Sequence, residues 1–498
     1  MNTNIKRISF MLAAVVLFGL GACEAPDQEV FSGFTPEDIE NSDNPAVLAV
    51  LKATAYSTIV GSWGGHNSIW SLHEVASDEM VITHKGADWE DGGQWIRVHQ
   101  HNYGPTEQSI GNGWAYLYTA IGEINLLIQQ YPNVEALVAE MKVLRALVYL
   151  WLIDAYGNVP IITESDTDPT PPTVPRADVF TFIESSVVDN LSLLPESSVN
   201  TTLNQTSARM ILAKLYLNAE VYTGTARWAD AETQIDAIMN SGVYSLTANF
   251  FDNFSAENEG SSENILTLPY DEDNAGGFNL AQMTGHYLTQ ETFNLQEQPW
   301  NGYATLEDFY NSYENNDNRK LGFLVGPQFS SAGARLEDIS AEDSDPDGEP
   351  LTFTPEINEL RPNSLRQAGA RVGKFEFESG AQQSLNNDYP IFRYGDVLLM
   401  KAEVQLRNGN AAGALTFVNQ VRQRAGADPL TVLDLDILLA ERGREMFAEG
   451  WRRSDLIRFN RYNDAWWEKP ASPATANIFP IPQGQIDVNA DLVQNPGY

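Results

Sequence analysis

The sequence predicts a mostly α-helical protein in which helical hairpins form a scaffold and a long loop-rich stretch is laid over it. Three observations carry that prediction. Apolar residues recur at helical spacing over 134–156, where Leu137, Met141, Leu144, Val148, Trp151 and Ala155 follow at intervals of four and three. Two distant segments, 206–240 and 395–424, share one plan: a helix with Ala and aliphatic residues inside, a glycine-containing turn, and a second Ala-rich helix. Between them, about 243–390, helical periods are few and Gly, Asn, Asp and Pro are frequent.

Each element can be justified in order. Lys6 and Arg7 precede an uncharged run over 10–20, too short for a membrane-spanning helix, which needs about 20 apolar residues. Leu20, Gly21 and Ala22 stand before Cys23, so residues 1–22 read as a bacterial export signal ending in a lipobox. Cys23, the one cysteine of 498 residues, is then the lipid attachment site and the mature N-terminus. Each buried CH₂ contributes about 0.8 kcal/mol, so several acyl chains hold a protein durably to a membrane that it does not cross. Residues 23–44 are polar and read as a flexible tether.

At Pro45 the pattern turns helical, with Asn44 as N-cap and proline in the first helical position. Residues 45–242 form an N-terminal helical scaffold carrying an aromatic loop at 63–103; 243–390 is the elaborated region; 391–498 holds C-terminal hairpins. Helices over 107–130 and 134–156 pair, and Gly157 through Pro160 stop the second. The four prolines of 166–175 require a loop. Residues 206–222 with 228–240, and 395–408 with 411–424, read as tetratricopeptide-like hairpins. One hairpin cannot bury its own apolar stripe, so neighbours must stack into a curved scaffold, with binding on the loops above it.

The charge narrows the partners. Lys and Arg number 30 against 67 Asp and Glu, a net −37; without Lys6 and Arg7 the balance is 28 against 67, or −39. Such a surface repels phosphates and excludes nucleic acid as a partner. It also disfavours polyanionic ligands. With Cys23 acylated, no thiol remains for a disulfide, a thiolate metal site or a nucleophile.

Five segments together resemble the SusD/RagB-like lipoproteins of Bacteroidetes. Arg145, Ala146 and Tyr149, followed by Tyr156-Gly157-Asn158-Val159-Pro160, fit the family's R-A-x-x-Y and Y/F-G-x-V-P pattern. Pro390, Arg393, Tyr394, Asp396, Met400 and Glu403 fit its P-x-x-R-Y-A-D-V-L-L-M-Y-A-E segment. Val421, Arg422, Arg424 and Gly426 fit V-R-x-R-A-G; Glu441, Arg444, Glu445, Glu449, Gly450, Asp455 and Arg458 fit the long acidic-basic helix that follows. The ending, Phe479 to Pro482 and Asn495 to Tyr498, is similar as well. Most of these residues are read as structural: Glu441, Arg444 and Glu445 sit at i, i+3 and i+4 and can pair with one another, and Arg145, Arg393 and Asp455 are packing and capping partners. The resemblance implies a SusD-like fold and a non-catalytic, lipid-anchored protein on the extracellular side of the outer membrane. It would bind oligosaccharide or polysaccharide and deliver it to a SusC-like TonB-dependent transporter. The negative charge tilts the ligand toward a neutral glycan; a peptide-binding member of the family is the alternative.

Candidate chemistry concentrates in the aromatic loop. Residues 63–103 hold five of six histidines and four of eleven tryptophans. Pyranose rings present apolar C–H faces that stack on indoles, while carboxylates pair with hydroxyls. Trp89, Trp95, Asp88, Asp91 and Trp63 are therefore the first candidates, with Tyr287 and Trp300 of the elaborated region beside them. Thr305 would cap the helix that follows. Each tryptophan equally fits a plug against the scaffold, and Trp466 and Trp467 fit packing or a transporter contact. His99 and His101 lack a third metal ligand and read as satisfied or surface histidines. Asp343, Asp345, Asp347 and Gly348 repeat the first half of a calcium loop, but Thr354 stands where the bidentate Glu belongs. A solvated acidic turn is the default there and a structural calcium the alternative; no cofactor is required. A surface glycoside hydrolase and a helical-repeat lipoprotein that assembles outer-membrane complexes are the rival classes, although no nucleophile elbow or phosphate loop occurs.

Overall fold

The computed structural model describes residues 45–86, 88–196, 199–339 and 350–498. The export signal, Cys23, Asn44, the tether and the carboxylates Asp343, Asp345 and Asp347 lie outside the described residues.

Helices dominate and strands are short. The first described helix, Pro45–Trp63, opens with its proline in the first turn, where the missing N–H costs nothing. The helices Gln108–Gln130 and Glu135–Ala155 pack as a hairpin. The second is buried well beyond the apolar stripe read from its sequence, since Arg176–Val188 covers another of its faces. A helix buried on most of its surface belongs in a core, and its Glu140, Arg145 and Asp154 are buried with it. Gln205–Leu217 begins on a capping box, with Asn204 accepting from the Ser207 N–H. It pairs with Trp228–Ser241, as Tyr394–Arg407 does with Ala411–Arg424.

The two look-alike hairpins are neighbours in space: Trp228–Ser241 lies directly on Tyr394–Arg407. Leu398, Leu399, Ala402, Ala414, Val418, Val421 and Leu438 form the apolar seam, with Met239 and Leu246 packed against it. The elaborated region is thus inserted between adjacent hairpins. Its ends meet, because strand Asn264–Leu268 pairs antiparallel with Tyr389–Arg393.

A buried ionic network ties this insertion to the C-terminal helices. Arg393 reaches Glu263 at 2.7 Å, Glu445 at 2.6 Å and Glu449 at 2.8 Å, all four side chains being inaccessible. Arg319 contacts Asp317, Glu441 and Glu445, and Lys374 reaches Glu449 at 2.6 Å. Glu441 pairs with Arg444 at 2.7 Å, as its spacing requires. Glu445 does not; it turns inward to Arg319, Arg393 and Arg424, three buried guanidiniums that need neutralising, while Arg444 is already paired with Glu441. Arg145 bonds Asn125 and Glu164, and Asp455 pairs with Arg442 and Arg458. The residues that carry the family resemblance hold the fold together.

Candidate functional site

A second short ribbon positions the aromatic loop. Strand Met80–Ile82 pairs antiparallel with Tyr303–Thr305, in the register Met80↔Thr305 and Ile82↔Tyr303. The chain leaving the first strand is pinned through His84 and Gly86 to the backbone at 360–364. It then turns back at a Lys85↔Asp88 bridge and passes through left-handed positions at Trp89, Asp91, Gly92 and Gly93. This path lays Trp89 against the segment that enters the second strand. Its Nε1–H donates to the Trp300 carbonyl at 2.7 Å, and its six-membered ring lies on Gly302. A Cβ on Gly302 would fall 2.6 Å from Cη2 and 2.7 Å from Cε2 of that ring, so the close approach requires glycine.

Rings gather here in two layers. Trp95 is 1 % exposed and Tyr303 is fully buried. Above them His66, Trp89 and Trp300 are half-buried. His66 sits at the centre, 5.0 Å from Trp89, 5.2 Å from Trp95, 5.8 Å from Tyr303 and 6.3 Å from Trp300 between ring centroids. Its Nδ1 is hydrogen-bonded to the Tyr303 hydroxyl at 2.8 Å. Burial lowers the imidazole to about 4, against a smaller opposing pull from Asp91, so it is neutral at physiological pH. Next to this group the Tyr287 hydroxyl donates to the Asp88 carboxylate, and the Arg366 guanidinium lies 5.4 Å from the Tyr287 ring. Burial first and Asp88 second push the Tyr287 phenol well up, keeping it protonated. Asp91 is exposed and accepts from Trp95 Nε1 at 3.2 Å.

Of the residues singled out from the sequence, Trp89, Trp300, Asp88 and Tyr287 come together on one half-buried face, with exposed Asp91 at its edge. Trp95 belongs beneath it as a support. Trp63 does not belong to it: at 2 % exposure it packs on Trp151, with ring centroids 4.5 Å apart, and it is a core side chain. Thr305 is a buried strand residue, and Leu306 takes the position before the helix Glu307–Asn311. His66 and Arg366 were not singled out as ligand contacts. His66 is hidden by its distance in sequence from Trp300, and Arg366 lies in a loop without any pattern. His99 and His101 have structural partners: His99 Nε2 bonds the Trp467 carbonyl at 2.9 Å, and His101 bonds Ser472 Oγ and the Ala76 carbonyl. Among the described residues no group of three or more His, Cys, Asp or Glu side chains is arranged to hold a metal ion. No helix of the described residues is long and apolar enough to cross a membrane.

Half-buried rings beside hydrogen-bonding carboxylates can stack on an apolar ligand face and fix its polar edge. Comparison with known proteins gives the same direction. The SusD family model matches residues 223–498, and a model described as "Starch-binding associating with outer membrane" matches 40–217. The starch-binding protein SusD of Bacteroides thetaiotaomicron is 24% identical, with both chains covered in full. SusD-like protein P25 of Formosa agariphila is also 24% identical, over 94% of this chain and 98% of its own. Among solved structures, a laminarin-binding SusD-like protein superposes with a TM-score of 0.73 at 22% identity, covering 92% of this chain and all of that one. Surface glycan-binding protein A of Bacteroides thetaiotaomicron, in complex with laminarihexaose, gives 0.72 at 22% identity, over 91% and 99%. The chain belongs to the SusD family, a family of non-catalytic binding proteins.

Proposed function

We propose that this protein is a lipid-anchored, surface-exposed glycan-binding protein of the outer membrane. It captures neutral oligosaccharide or polysaccharide on the Trp89–Trp300 face and delivers it to a SusC-like TonB-dependent transporter. The observation that carries the reading is the half-buried group His66, Trp89 and Trp300 beside the Asp88–Tyr287 pair. Two indoles and a neutral imidazole offer stacking surface without charge, and Asp88, Asp91 and Arg366 stand at its edge for hydroxyl groups. Starch and laminarin binding in relatives of the same fold supports a glycan as ligand. The net charge of −37, and the carboxylates at the face itself, favour a neutral glycan over a uronate or sulfated one. Anchoring rests on Cys23 and outer-membrane association on the amino-terminal family match.

Affinity electrophoresis of the purified protein in starch, laminarin, xylan, galactomannan and alginate tests this. Retardation in at least one of the four neutral glycans, with no shortened product on long incubation, is expected. Retardation in none of them, or release of oligosaccharides, overturns it.

A further inference from the structure

Two clefts away from the Trp89 face are lined by Trp466, one of them by Trp467 as well. One, of ≈ 170 Å³, is lined by Asp78, Asp308, Phe309, Ser312, Trp466 and Trp467 among others. A second, of ≈ 310 Å³, shares Asp78, Ala440, Arg452 and Trp466 with it and continues past Asp436 and Asp464. The two are lobes of one groove within the size range that small-molecule sites occupy.

The tryptophans are displayed here on a clamped turn. Trp466 and Lys469 exchange backbone hydrogen bonds of 3.1 and 3.0 Å, and Glu468 between them is left-handed at φ 53°. A non-glycine residue in that region is strained and persists only where its surroundings impose it. They do so: the Trp467 carbonyl accepts from His99 and the Glu468 carbonyl from Gln100. The Lys469 ammonium stands 3.8 Å from the centroid of the Trp466 ring. Trp466 and Trp467 remain half-buried, with exposed Asp308, Ser312, Asp436 and Asp464 around them. Arg452 is fixed by Asp78 through bonds of 2.6 and 2.8 Å, so the groove wall is rigid and its charge balanced.

The groove also stands in a defined relation to the Trp89 face. Asp78 lies two residues before strand Met80–Ile82, and Lys85 lies three residues after it. The two places are joined by the single short segment that runs through strand Met80–Ile82.

We propose that the Trp466–Trp467 groove is a second carbohydrate subsite, which holds a further stretch of a polysaccharide whose primary contact is the Trp89 face. Indoles for sugar faces and carboxylates for hydroxyls are the same chemistry as at the first face, and the proposal rests on the glycan-binding reading of that face. A chain that touches both places binds with the gain of a linked second contact, whereas a short oligosaccharide fills one place only.

Trp467→Ala is the test, since it leaves the backbone clamp of His99 and Gln100 in place; Asp308→Ala is the companion should the first fail to fold. Each is titrated with whichever of starch, laminarin, xylan and galactomannan the wild type retains, and with a trisaccharide of the same glycan. Polysaccharide affinity should fall about tenfold with trisaccharide affinity unchanged. A Trp89→Ala/Trp300→Ala variant should lose the trisaccharide yet keep weak polysaccharide retention, which Trp467→Ala then removes. Wild-type polysaccharide affinity in both groove variants overturns the proposal and leaves the primary face standing. So does unchanged glycan affinity with loss of co-purifying outer-membrane protein, which assigns the groove to a protein partner. A wild type that binds none of the four glycans overturns the primary reading and the groove with it.

Discussion

Gly302→Ala separates a sugar platform from a structural plug without removing a tryptophan. Gly302 has no left-handed backbone to strain, so the new methyl acts only through space. It would meet Trp89 at 2.6 Å from Cη2 and 2.7 Å from Cε2, and closer still at Cζ2, where ordinary carbon contacts begin near 3.4 Å. The ring must therefore shift by about 1 Å, and the 2.7 Å bond from Nε1 to the Trp300 carbonyl shifts with it. Overpacking of this kind costs roughly 1–3 kcal/mol of stability. An aromatic anchor moved out of a central contact costs roughly 1–4 kcal/mol of binding, about a five- to thousandfold loss of affinity. Urea denaturation and calorimetric titration with the retained glycan measure both on one protein. Lower stability with unchanged affinity per folded molecule would make Trp89 a plug and refute the site. Wild-type stability and affinity together would refute the packing of Trp89 on Gly302.

Trp95→Ala should behave differently from either change at the face, because Trp95 is 1 % exposed: a loss of roughly 3–5 kcal/mol in chemical denaturation is expected, and a loss below 1 kcal/mol would contradict its burial. Acid should weaken the ionic network. Burial would raise the Glu441 carboxyl, but Arg319, Arg444 and Arg422 outweigh it and hold it at about 2, below its ordinary 4.5; Glu445 and Asp455 are lowered in the same way. A depressed folded value adds stability that is complete above the unfolded value and is lost as pH falls through the folded one. Glu441 alone then accounts for about 3 kcal/mol lost between pH 4.5 and 2. Glu74, which burial raises to about 7, acts the other way: its contribution is full below pH 4.5 and fades as pH rises to 7. The urea midpoint should therefore drop steeply below pH 4.5, and a midpoint constant from pH 5 to 3 would contradict the network. Cys23→Ala should release the protein from the outer membrane; a variant still in the membrane fraction after a high-salt wash would refute lipid attachment.

The helical scaffold was legible because its signals are local. The stripe from Leu137 to Ala155, the stop at Gly157 to Pro160 and the paired Ala-rich helices each follow from spacing within about 35 residues, and the helices form where they were expected. Arg176–Val188 has no comparable signal in the sequence, since it follows a proline-rich loop and shows only a weak stripe. The site was legible in kind but not in membership. Tryptophans among Gly and Asp in 63–103 pointed to the loop, yet Trp63, Trp89 and Trp95 look alike as sequence. What distinguishes them is tertiary. Trp63 ends a helix that faces Trp151 in the core, whereas Trp89 is turned outward by left-handed backbone at residues 89, 91, 92 and 93. That Trp89 meets Trp300 depends on a three-residue ribbon joining segments more than 200 residues apart, for which no periodic signal exists. His99 and His101 drew attention as a cluster and turned out to hold the segment 467–472 in place.

The central claim, a glycan seated on the Trp89–Trp300 face, is tested most directly by fluorine NMR of protein labelled with 5-fluorotryptophan. Its eleven resonances are assigned by single Trp→Phe variants and followed through a titration with the retained neutral glycan. Trp89 and Trp300 should shift saturably at a stoichiometric concentration of hexasaccharide, while the core residues Trp63 and Trp151 stay fixed. Saturable binding that leaves both Trp89 and Trp300 unmoved would contradict the account.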